Sequence, residues 1–116
     1  MIERETTDTI VIHCADTPDD RDVDMATIKK WHVEERGWSD IGYHFVIRRN
    51  GLVEAGRDIK LSGAHARQVN GTSVGVCMVG RENFDPRQFE SLRDTVQMLL
   101  KLYPDSKVIG HCDVEP

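Results

Sequence analysis

No stretch of this chain is apolar for long enough to span a membrane, and the N-terminus, Met1-Ile2-Glu3-Arg4-Glu5, lacks the apolar segment of a signal peptide. The expectation is a chain made and kept in a cytoplasm unless something releases it, with no membrane insertion. A basic excess is missing too: the formal net charge is −5, so no nucleic-acid partner is expected. Cysteine is scarce and odd in number. Cys14, Cys77 and Cys112 make no disulfide framework, fit a reduced compartment, and read as small apolar fillers, Cys77 most clearly. There is no internal repeat, low-complexity tract or interdomain linker, and 116 residues suffice for one domain with a real core but not for two.

What is present is an alternation of strand and helix signals. Thr9 to His13 is a mostly β-branched run ending on an imidazole, and Cys14-Ala15-Asp16-Thr17-Pro18 follows as a polar loop. Asp24 is placed to cap a helix from Met25 to about Arg36, which Gly37 would stop, with Met25, Ile28 and Trp31 or His32 on its apolar face. Tyr43 to Arg48 and Leu52 to Ala55 flank Arg49-Asn50-Gly51, a hairpin signal. Residues 56–71 read as a long loop, and such loops in compact domains are more often functional than idle. Val74 to Val79 is the most apolar strand. Asp85-Pro86 opens a helix whose stripe is Phe89, Leu92, Val96 and Leu99, ending near Tyr103-Pro104. A last strand, Lys107 to Ile109, leads through Gly110 to His111. The fold class is α/β: a single domain with a central mixed β-sheet flanked by helices.

The chemistry starts with His13 and His111. Each follows a buried strand, and the carboxyl edge of an open α/β sheet is where ligands and metals collect. One such histidine is usually a satisfied polar residue. Two at matching strand ends favour a metal site, since imidazole is the commonest protein metal ligand. Their separation fits no local motif such as H-E-x-x-H, so the fold must bring them together. Strand alternation turns Cys14 away from a metal on His13 and puts Tyr43 and His44 on opposite faces. His65, among small residues in Ser62-Gly63-Ala64-His65-Ala66, is either exposed or lines a cleft, and His32 beside Trp31 reads as structural. Asp19, Asp20, Asp22 and Asp24 lack calcium-loop spacing and read as a solvated loop.

Several short motifs occur together in order: Ile12-His13-Cys14-Ala15 with Thr17, Trp31-His32 before Gly37-Trp38, Gly42-Tyr43-His44-Phe45, and Asn50-Gly51 with Glu54-Ala55-Gly56-Arg57. They continue through Gly63-Ala64-His65-Ala66, Ser73-Val74-Gly75-Val76 with Val79-Gly80, and Gly110-His111. With them the chain resembles, over nearly its whole length, the zinc-dependent N-acetylmuramoyl-L-alanine amidases of the bacteriophage lysozyme type, whose fold is shared with animal peptidoglycan recognition proteins. The resemblance implies that Zn²⁺ is the cofactor and that His13 and His111 are zinc ligands. It implies that Tyr43 is catalytic and that His65 contacts substrate beside the groove. The implied partner is peptidoglycan and the implied reaction is hydrolysis of the amide between N-acetylmuramic acid and L-alanine of the stem peptide, carried out on the cell wall after release. The family's Lys-x-Cys after the second histidine is absent: the chain runs Cys112-Asp113-Val114-Glu115-Pro116 and stops. The expectation is an amidase domain over residues 1–116 that lacks its C-terminal end. The competing expectation is a peptidoglycan-binding module on the same fold without turnover. A thiol-based function is weaker still, because no lysine or arginine flanks Cys14 or Cys77 in sequence to activate a thiolate.

Overall fold

The computed structural model describes residues 2–111. Its elements are β1 (Thr9–Cys14), α1 (Met25–Lys30) continuing into a π-helical turn (Trp31–Glu35), β2 (Phe45–Ile47), β3 (Val53–Ala55), β4 (Ser73–Met78), α2 (Pro86–Leu102) and β5 (Lys107–Gly110). They form one mixed sheet in the order β3-β2-β4-β1-β5. Only β3 runs antiparallel, joined to β2 by the Asn50-Gly51 hairpin, where Gly51 takes a φ of 89°. The β2–β4, β4–β1 and β1–β5 pairs are all parallel. All six residues of β4 are buried, as a central strand of a parallel sheet requires. Single domain, mixed sheet and flanking helices agree with the sequence expectation.

The two faces of the sheet have different coverings. Ile10, Ile47, Val74, Val76 and Met78 pack with Leu92, Leu99 and Leu100 of α2. Val46 and Val79 instead pack with Val23, Ile28 and Ile41, with Trp31 and Tyr43 at the margin. Alternation along β1 and β4 therefore turns Val11, His13, Gly75 and Cys77 away from α2.

Three local expectations need correction. The stripe of α2 is rotated: Phe89 is 54% exposed, and the inward row is Gln88, Leu92, Thr95 and Leu99. Gln88 can face inward because its amide bonds backbone carbonyls there, which a hydrophobic pattern does not anticipate. The first helix spans the expected length, but from Trp31 it widens into a π turn before Gly37, at φ 70°. The strand expected from Tyr43 begins only at Phe45, and His13 is the penultimate residue of β1, on the face opposite α2, rather than its last. The acidic loop keeps Asp20 and Asp22 exposed, as expected of a solvated loop, and is in addition tied down. Asp19 accepts backbone N–H groups of Arg81, Glu82 and Asn83, Asp22 pairs with Arg48, and Asp24 caps α1.

Candidate metal-binding cleft

Parallel pairing carries the site. β1 and β5 are in register at Ile12 and Gly110, so one further step along each strand brings His13 and His111 side by side. Their ring centroids are 4.4 Å apart. This is the juxtaposition the sequence required the fold to supply. His13 is only 5% exposed, and burial, with His111 beside it, lowers its pKa to about 3. At neutral pH it is a neutral imidazole, the form that ligates a metal.

Both rings line a cleft of about 400 Å³, together with Tyr43 and His65. The Tyr43 ring lies 5.2 Å from that of His13. Burial, then the adjacent Cys77, pushes the Tyr43 phenol well above its ordinary pKa, so it stays protonated and can donate a hydrogen bond. His44, its neighbour in sequence, does not line the cleft. Its Nδ1 accepts the Gly75 N–H at 3.0 Å and its Nε2 lies 2.8 Å from the Leu61 carbonyl.

His65 lines the cleft rather than standing free in solvent. Its Nδ1 is 2.8 Å from His13 Nε2, and its Nε2 is 3.2 Å from Ser73 Oγ. Burial is the main reason its pKa falls to about 3. The loop holding it turns on Asn70, whose Oδ1 accepts the N–H groups of His65 and Ala66. His32 is structural, as expected, but it also touches the cleft: its Nδ1 accepts the Gly42 N–H at 2.9 Å, which fixes the chain entering Tyr43. The π turn presents this ring, and such turns often occur at functional sites.

Cys14 departs from expectation: it is exposed and lines the cleft rather than filling a core. It is the last residue of β1, still paired with Met78 of β4 but beyond the last β1–β5 pair at Ile12 and Gly110. Cys77 is buried, as expected. Cys112 and the four residues after it lie outside the described residues. The sequence reading did not single out Arg36, Trp38, Arg67 or Asn70 as cleft residues. No motif marks Arg36 or Arg67, yet among the described lining residues the cleft has two guanidiniums and no carboxylate in an acidic protein.

The donor set fits part of a site for a divalent metal. His13 and His111 offer two adjacent imidazoles, while no group of three His, Cys, Asp or Glu side chains among the described residues is arranged to hold an ion.

The sequence model of the N-acetylmuramoyl-L-alanine amidase family matches residues 3–115. Over 122 aligned positions the chain is 43% identical to the endolysin of Escherichia phage T7, covering 98% of this chain and 80% of that protein. It is 36% identical over 107 positions to peptidoglycan-recognition protein LB of Drosophila melanogaster, covering 87% of this chain and 46% of the relative. Among solved structures, the endolysin N-acetylmuramoyl-L-alanine amidase LysCS from Clostridium intestinale superposes with a TM-score of 0.86 at 32% identity, covering 95% of this chain and 72% of that one.

Proposed function

Because this chain belongs to the N-acetylmuramoyl-L-alanine amidase family, we propose that it is an endolysin-type peptidoglycan hydrolase that uses zinc held by His13 and His111. The bond cleaved is the amide between the lactyl group of N-acetylmuramic acid and L-alanine of the stem peptide. The observation carrying the zinc reading is the pairing of two imidazoles, one of them kept neutral by burial, in the cleft beside a protonated tyrosine. Zinc bound there supplies Lewis acidity, polarising a carbonyl and lowering the pKa of water toward roughly 7.

The chain's own residues do the rest. Tyr43 is a buried donor that stays protonated, suited to hydrogen-bonding the oxygen that gains charge as the amide carbonyl becomes tetrahedral. His65 forms part of the groove wall, and Arg36 and Arg67 make that wall electropositive toward a substrate whose stem peptide carries carboxylates. Action on the wall follows release from the cell. No helix among the described residues is long and apolar enough to cross a membrane.

The test is cleavage of purified peptidoglycan, followed by release of peptides with a free L-alanine amino group, alongside metal analysis of the protein. His13→Ala is expected to lose both zinc and cleavage. A His13→Ala protein that still releases stem peptides overturns the assignment. Retention on insoluble peptidoglycan without released peptides would instead make the chain a binding module.

A further inference from the structure

The hydrogen bonds behind His13 run in one direction, anchored on a backbone carbonyl. Ser73 is fully buried, and its hydroxyl lies 2.6 Å from the Val69 carbonyl oxygen. A carbonyl can only accept, so the single Ser73 proton lies on that bond. Ser73 Oγ must then accept from its other neighbour, His65 Nε2, at 3.2 Å. A neutral His65 with its proton on Nε2 has only a lone pair on Nδ1. That lone pair faces His13 Nε2 at 2.8 Å, so the proton between the two rings belongs to His13.

We propose that His65 and Ser73 are positioning residues for the metal ligand: the relay from the Val69 carbonyl through Ser73 and His65 holds His13 as its Nε2–H tautomer and leaves Nδ1 as the nitrogen that binds zinc. His13 Nδ1 makes no hydrogen bond among the described residues. A metal-ligating histidine generally donates its other ring N–H to an acceptor, which sets the tautomer and the ring's orientation. Here the acceptor is another imidazole, and an imidazole can be an acceptor on Nδ1 only if its own proton is held elsewhere. Ser73 holds it.

The fold around His65 is built for this seat. A Cβ on Gly75 would come within 2.5 Å of His65 Cγ, and one on Gly63 within 2.5 Å of His65 Cδ2. The ring therefore lies flat against the bare backbone of β4, on the sheet face that carries His13. Asn70 Oδ1 fixes the His65 backbone by accepting its N–H. His65 thus touches the groove through one edge and the metal ligand through its Nδ1.

The proposal rests on the zinc reading, and its test separates the two. Metal-free protein with ¹⁵N-labelled histidine is examined near pH 7 by long-range ¹H–¹⁵N NMR, which distinguishes the tautomers. His13 and His65 are both expected as Nε2–H; His13 as Nδ1–H overturns the relay. Ser73→Ala frees the His65 proton, so mixed His65 and His13 tautomers are expected, with zinc affinity falling about 10–100-fold in chelator competition. A folded Ser73→Ala with unchanged tautomers and unchanged affinity overturns the proposal. If that variant does not fold, His65→Gln and His65→Leu replace it. The glutamine carbonyl can still accept from His13 Nε2–H, so it is expected to keep more zinc affinity than leucine, and equal loss in both is the contrary result. A wild-type protein that shows the expected tautomers but takes up no zinc overturns the zinc reading and leaves the tautomer assignment standing.

Discussion

Two polar regions are buried against this sheet, one where α2 meets the hairpin and one in the cleft on the opposite face. At the first, Gln88 is fully buried and uses both ends of its amide: Nε2 donates to the Val79 carbonyl at 2.8 Å, and Oε1 accepts from Asp85 N and Arg49 Nη1. Arg49 passes on to the Asn83 carbonyl, and Asp19 ties down the backbone from Arg81 to Asn83. Each bond ends on the main chain or on a charge fixed to it. In the cleft, by contrast, His13 bonds a side chain and keeps a ring nitrogen without a hydrogen-bond partner among the described residues, next to a second imidazole. Burying polar groups costs free energy unless they are satisfied. Saturation at the junction therefore marks a structural role. In the cleft the buried rings instead bond one another and line a surface open to solvent, the side on which the proposed chemistry lies.

Substitutions should divide along that line. Tyr43→Phe removes only a hydroxyl from the cleft, and kcat is expected to fall about 10²–10³-fold, the usual loss for one donor to a developing oxyanion. Zinc content and thermal stability should stay near wild type. Peptide-release kinetics with metal analysis checks this, and a Phe variant of unchanged kcat reduces Tyr43 to packing.

Gln88→Leu is the mirror experiment. It strands the Val79 carbonyl, the Asp85 N–H and one Arg49 N–H, and leaving a buried polar group without its partner costs about 1–3 kcal/mol. A lower midpoint in urea is expected, while kcat per folded molecule should not change. Loss of activity without loss of stability would mean the two regions are coupled through β4.

How much of this contrast could be read from residues differs between the regions. The hairpin, the Asp85-Pro86 cap and the buried β4 were legible because turn, cap and β-branched signals are local. His13 and His111 were legible as a pair because each closes an apolar, β-branched run in the sequence, and parallel strands put equivalent positions side by side. The phase of α2 was not, because Gln88 and Thr95 face inward and apolar periodicity counts only apolar residues. The relay through Ser73 was hidden for a related reason: it depends on a loop folding back over Gly75, and a serine opening an apolar strand carries no mark of what it touches. The exposure of Cys14 was not legible because it depends on β5 ending its pairing with β1 at Ile12, which composition does not reveal.

The smallest expected effect is one of pH, and it falls on the cleft side alone. His44 is buried beside His65, with its pKa lowered to about 4, chiefly by burial. His32 is lowered to about 4, and His13 and His65 to about 3, again chiefly by burial. In the unfolded chain these groups titrate near 6.5. Between pH 6.5 and 4 the unfolded state therefore binds more protons, so their contribution to stability is complete above pH 6.5 and declines as pH falls toward 4. At the junction, Asp85 is held down to about 2 by its hydrogen bonds with Arg87, and the backbone N–H of Arg81 and its neighbours keeps Asp19 below the usual carboxylate range. Neither group loses its charge in that window. Protonating His44 on Nδ1 abolishes the acceptor for the Gly75 N–H, so that amide reports the change directly. In metal-free protein at pH 5, hydrogen exchange corrected for its intrinsic pH dependence should accelerate at Gly75 more than at Gln88, whose N–H bonds the Asp85 carbonyl. Equal acceleration at both amides would show that acid loosens the whole sheet together rather than its imidazole-bearing face first.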